Sequence, residues 1–111
     1  MEDTVTTIDP AAGIVTLINT FEVAPEKADA LVALLDAATE EKMRHVPGFV
    51  SANIHKSLDG TRVANYAQWE SREAFQAMLA DPEAQVHMRA CGEIATSFSP
   101  VLYEALSCHR S

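Results

Sequence analysis

Val63-Ala64-Asn65-Tyr66-Ala67-Gln68-Trp69-Glu70-Ser71 reads as a strand that runs directly into the start of a helix. On a strand, Asn65 and Trp69 are four residues apart and point to the same face. A polar amide and the only Trp of the chain then share one surface. Buried, that surface is an apolar wall carrying a hydrogen-bonding group, which is how small-molecule sites are built. The alternative leaves Trp69 as plain core and Asn65 as an ordinary sheet position.

The flanking sequence extends this reading in both directions. Upstream, Asp59-Gly60 is a hairpin turn signal that joins the strand to an earlier one over 49–57. Downstream, Ser71 is placed to cap a helix through Phe75 and Leu79. Asp81-Pro82-Glu83 restarts the helix, which runs to about residue 95, and Pro100 opens a last strand over 100–106. Before the hairpin, 14–23 is rich in β-branched residues and reads as a strand. Pro25 then opens a helix in which Ala28, Leu31, Val32, Leu35 and Ala38 follow helical spacing. It ends near residue 45, ahead of Pro47-Gly48. The order β-α-β-β-α-β predicts an α+β domain of the ferredoxin-like, split βαβ kind, an antiparallel sheet covered by helices on one face. The domain spans 14–108, between a flexible N-terminal tail over 1–13 and a short tail over 109–111.

A sheet covered on one face should alternate apolar and polar residues. The first strand instead has Ile14 and Ile18 on one side and Val15, Leu17, Phe21 and Val23 on the other. The last has Val101, Tyr103 and Ala105 against Leu102 and Leu106. The second face needs a cover, and a second copy of the chain is the economical one, so a homodimer is expected.

Composition narrows the function classes. The 111 residues are 48% hydrophobic and 22% charged, which suits one globular domain. A net charge of −8 argues against nucleic acid and against an anionic membrane surface. No apolar run approaches a membrane span, and Met1-Glu2-Asp3 does not open a signal peptide. Cys91 and Cys108 have no metal or redox spacing, so free thiols in a reducing cytoplasm are expected. Phosphate-cradling glycine loops, HExxH, CxxC and a nucleophile-elbow serine are all missing from the sequence. The expectation is no cofactor and no metal.

Further residues could carry chemistry. His55 has the same parity as Asn65 and Trp69 across the hairpin, and shares their face if the loop length sets the register that way. It then serves as a general base or an orienting donor; otherwise it is a partly exposed strand His. Ala84, Met88, Cys91 and Ala95 form the apolar stripe of the second helical region, and His87 borders it, either as a site residue or as a structural His. Arg89 anchors an oxyanion or carboxylate, or forms a solvated ion pair. Tyr66 and Tyr103 are possible proton donors, although the parity of Tyr66 opposes that of Trp69. Phe75, Met78 and Met88 read as core.

Over residues 14–107 the chain resembles the antibiotic biosynthesis monooxygenase superfamily. The resemblance rests on Pro47-Gly48-Phe49, on His55 followed by Asp59-Gly60, on the tract from Asn65 to Ser71, and on Ala74-Phe75. It is nearest to the anthrone oxygenases of aromatic polyketide pathways, ferredoxin-like proteins that pair as dimeric α+β barrels. These oxidise a phenolic ring to a quinone with O2 and without metal, flavin or haem. The resemblance implies a small aromatic substrate. It implies Asn65 and Trp69 as the pair that binds substrate and stabilises oxygenated intermediates, His55 as the strand histidine and Arg89 as the helix arginine. Phe75 stands where the anthrone oxygenases carry a tyrosine, so either Tyr103 or His87 takes the role of that phenol or the substrate differs; Phe75, His87, Tyr103 and Asn19 are the residues expected to bind the substrate. The haem-binding and haem-degrading branch is the alternative. Asn19 fits its Asn position and His87 falls within about a residue of its His position, but its helical Trp position, near Met78, holds no Trp. A dimer that binds a small ligand without turnover is a third reading.

Overall fold

The computed structural model describes residues 4–111, so the first three residues of the predicted tail lie outside the described residues. The elements are β1 (Val15–Glu22), α1 (Ala28–Glu41), β2 (Phe49–Lys56), β3 (Arg62–Trp69), α2 (Arg72–Leu79), α3 (Pro82–Ile94) and β4 (Ser97–Glu104). Short 3-10 turns at Pro25–Lys27 and Met43–His45 flank α1. The strands form one antiparallel sheet in the order β2-β3-β1-β4, the α+β, ferredoxin-like arrangement. Among the described residues, no helix is long and apolar enough to cross a membrane.

Local chemistry sets the boundaries. Gly60 turns the β2–β3 hairpin at φ 74°. The Asp59 carboxylate accepts hydrogen bonds from Thr61 Oγ1 at 2.7 Å, Ser57 Oγ at 2.8 Å and Thr61 N at 3.0 Å. Those bonds, the Thr61 hydroxyl first, lower its pKa to about 2. Ser71 Oγ accepts from Ala74 N at 3.0 Å and caps α2; Asp81 Oδ1 accepts from Glu83 N at 2.9 Å and caps α3. Lys42 Nζ, 2.8 Å from Asp81 Oδ2, ties the end of α1 to that cap. Gly48 sits at φ 88°, where a Cβ would run into the Cβ of Ala74, so Gly48 lets the entry to β2 press against α2.

β4 begins at Ser97, three residues ahead of the predicted start, and holds Pro100 in its interior. An edge strand tolerates this, because its outer side has no neighbour that needs the missing N–H.

One face of the sheet carries Leu17, Phe21, Val63, Ala67 and Trp69 into a core shared with Leu31 and Leu35 of α1, Phe75 and Met78 of α2, and Ala84 and Cys91 of α3. The polar segment before β1 lies against the other face. There Thr6 Oγ1 donates to Asn53 Oδ1 at 2.7 Å, and Gln68 Nε2 donates to the Thr7 carbonyl at 2.9 Å. Farther across this face Val101 is 42% exposed and Tyr103 49%.

Candidate active site

A cavity of about 200 Å³ lies between the helices and the inner face of the sheet. Its sheet wall takes Leu17 and Asn19 from β1, Asn65, Ala67 and Trp69 from β3, Phe49 and Ala52 from β2, and Pro100 from β4. Its helix wall takes Thr39 from α1, Phe75 and Met78 from α2, and His87, Met88 and Cys91 from α3. Phe98, 56% exposed, and the exposed Leu79 also border it, so the cavity reaches the surface beside them.

β1 and β3 bring two amides together. Asn19 and Asn65 are direct partners in the antiparallel register, so both side chains leave the sheet on the same face. Trp69 lies two positions beyond Ala67 on that face, and its indole is 2% exposed. The ring meets Phe49 edge-on, with centroids 5.6 Å apart and planes at 90°. Phe75 meets it from the helix side at 6.1 Å and 69°. The indole therefore has a fixed direction.

Three buried polar atoms in this cavity have no hydrogen-bond partner among the described residues: Asn19 Oδ1, Asn65 Oδ1 and Trp69 Nε1. A buried polar atom left unpaired costs about 1–3 kcal/mol. Proteins satisfy nearly all such groups, so three orphans converging on one cavity point to a ligand. The amides can accept from a hydroxyl or donate to a carbonyl, and the indole can only donate. Thr39 adds nothing to this set, because its hydroxyl is committed to the Leu35 carbonyl at 2.8 Å.

Asn65, Trp69, Asn19, Phe75 and His87 of the predicted residues are brought together. His55, Arg89 and Tyr103 do not border the cavity. In the β2–β3 register Ile54 opposes Asn65 and His55 opposes Ala64, so the exposed His55 leaves the sheet on the outer face. Tyr103 opposes Thr16 and leaves by the same outer face. Arg89 follows His87 by two residues, about 200° around the helix, and its side chain is exposed. Phe49 and Cys91 were not singled out as site residues. Their signals were present: Phe49 follows the tight Pro47-Gly48 entry, and Cys91 lies one helical turn after His87. Burial raises the pKa of the Cys91 thiol, which keeps it neutral.

Residues 14–90 match the family model described as antibiotic biosynthesis monooxygenase. The chain belongs to the antibiotic biosynthesis monooxygenase family. It is 49% identical over 89 residues to the tetracenomycin-F1 monooxygenase of Streptomyces glaucescens, a match that covers 80% of each chain. Among solved structures it is similar to a monooxygenase from the gene ActVA-Orf6 of Streptomyces coelicolor, in complex with nanaomycin D. That match has a TM-score of 0.81 and 35% identity, and covers 93% of this chain and 96% of the other. It is also similar to SnoaB, a cofactor-independent oxygenase from Streptomyces nogalater, with a TM-score of 0.69, 25% identity, and coverage of 86% and 96%. The protein is therefore an oxygenase, and the cavity is its candidate active site.

Proposed function

We propose that this family member oxidises a phenolic, anthrone-like polycyclic aromatic to a quinone with O2, using no cofactor, and works as a homodimer. The observation that carries this reading is the trio of unpaired buried atoms on the wall of an otherwise apolar cavity. A flat aromatic fills the apolar volume between sheet and helices. Its phenol hydroxyls and ring carbonyl answer the amides and the indole N–H. The relatives support the substrate class, since one is named a tetracenomycin-F1 monooxygenase and another was solved with nanaomycin D. SnoaB, described as cofactor-independent, supports the absence of a cofactor.

The chemistry needs little more. O2 is a triplet and reacts slowly with closed-shell molecules. An anthrone has an acidic C–H, and the anion left by its deprotonation is electron-rich enough to give one electron to O2. Superoxide and the substrate radical then combine at that carbon. Loss of water from the resulting peroxide gives the quinone. The Trp69 indole N–H is a donor for the developing oxyanion, and the two amide oxygens accept from the hydroxyls of the substrate, on the wall of a largely apolar cavity.

The test is oxygen uptake with 1,8-dihydroxyanthrone. The protein is expected to accelerate quinone formation well above the spontaneous rate, with equimolar oxygen consumed and no added metal or flavin. No acceleration, with a Soret band forming on haem titration instead, would move the assignment to the haem branch.

A further inference from the structure

We propose that His87 is the proton acceptor of the reaction, taking the acidic C–H proton of the substrate from the helix side while, from the sheet side, Trp69 donates to the oxyanion and Asn19 and Asn65 accept from the substrate's hydroxyls. This rests on the anthrone oxidation proposed above. The residues that the sequence offered for proton transfer beside His87 are removed by geometry, since His55, Tyr66 and Tyr103 all leave the sheet on its far face. Phe75 stands where the anthrone oxygenases carry a phenol, and it has no proton to exchange.

Among the described residues whose side chains border the cavity, only His87 and Cys91 carry an ionisable group. β1, β2, β3, β4, α1 and α2 contribute none. Cys91 is a poor base, because burial holds it as a neutral thiol. On α3 itself, Glu83 lies one turn before His87 and is engaged by Lys42 at 3.4 Å. The imidazole is half-buried and has no hydrogen-bond or ion-pair partner among the described residues, so a ring nitrogen is free to meet a ligand. An imidazole matches the task, because its unprotonated ring nitrogen accepts a proton and can return it.

The proton balance closes on this one group. His87 takes the first proton from the CH2 carbon and leaves the anion. One electron passes to O2, and recombination forms the C–O bond of a peroxide anion. The imidazolium returns its proton to that anion, giving the hydroperoxide. His87 then takes the remaining C–H proton as the O–O bond breaks, a C=O forms and hydroxide leaves. The imidazolium protonates the hydroxide to water. Overall CH2 and O2 become C=O and H2O, and His87 ends neutral.

Proton abstraction can be read apart from oxidation. In D2O under anaerobic conditions the protein is expected to speed C–H to C–D exchange of 1,8-dihydroxyanthrone, followed by NMR, with a rate that rises through the imidazole range. His87→Gln is expected to lose on the order of 100-fold of that exchange and of oxygen turnover. It should also lose the imidazole limb of the pH profile, while still binding the quinone product as read by quenching of Trp69. Free imidazole added to His87→Ala is expected to restore part of the exchange, which a merely structural histidine would not permit. Exchange by His87→Gln at the unsubstituted rate, with the limb intact, overturns the inference and leaves the oxidation standing. If the variants do not fold, a wild-type exchange rate that is flat across the imidazole range overturns it instead. Wild-type protein that takes up no oxygen with the anthrone removes the functional reading itself, and this inference with it.

Discussion

At the scale of single residues, the site is made of groups that cost stability. Asn65 Oδ1 and Trp69 Nε1 are buried without partners among the described residues. Replacing such an atom by an apolar one of similar volume removes a desolvation cost of about 1–3 kcal/mol. Asn65→Leu is therefore expected to hold or raise the thermal midpoint while cutting oxygen turnover roughly 100-fold or more. Calorimetry beside an oxygen electrode checks both halves. A variant that loses stability and keeps activity would make Asn65 a structural residue. Trp69→Phe is expected to behave alike in rate, losing the donor while keeping an aromatic ring between Phe49 and Phe75. Phe75→Tyr tests the substrate. It restores the phenol of the anthrone oxygenases on the helix wall and is expected to raise turnover of an anthrone. Unchanged or lower turnover would point to a different aromatic.

At the scale of elements, caps and turns hold the walls in place. Ser71 caps the helix that carries Phe75 and Met78 into the core. Ser71→Ala is expected to cost about 1 kcal/mol in denaturant unfolding, in the ordinary range for a lost N-cap. Gly48→Ala is expected to cost more, because it combines a positive φ with a collision at Ala74. The hairpin adds a pH signature. The Asp59 pKa is lowered in the fold, so its contribution is present above the unfolded value of 3.8 and disappears as pH falls through about 2. Asp59→Asn should therefore lose part of the pH dependence of unfolding in that acid window, and an unaltered slope there would sink the assignment. The same hairpin shows where the sequence stopped being legible. Period-2 alternation placed Asn65, Trp69 and Leu17 correctly, because parity within one strand needs no partner. Parity between strands depends on the turn. The loop around Asp59-Gly60 sets even-numbered residues of β2 against odd-numbered residues of β3, which sends His55 outward. The irregularity between Phe49 and Ser51 shifts the register again and returns Phe49 to the side of Trp69. The Asn19–Asn65 pair likewise needed the β1–β3 register, which no local pattern encodes.

At the scale of the whole molecule, the sheet is used on both sides. The inner face builds the cavity, and the outer face carries apolar side chains that helices do not cover. The segment around Thr6 and Thr7 crosses the outer face near Asn53 and Gln68, while Val101 and Tyr103 of the edge strand β4 stay open. This strip is where the proposed homodimer closes, by sheet packed against sheet. Sedimentation at micromolar concentration is expected to give twice the chain mass of 12.0 kDa. Paired substitution Val101→Lys with Tyr103→Lys places charges on that strip and is expected to release a folded monomer, since neither residue borders the cavity. Because the two substitutions leave the residues that line the cavity untouched, the monomer is expected to bind the quinone product. A substituted protein that remains dimeric would move the interface elsewhere. One that becomes monomeric and loses binding altogether would show that the second subunit shapes the site, as would happen if sheet packing fixes the β1–β4 pairing that carries Asn19 and Pro100.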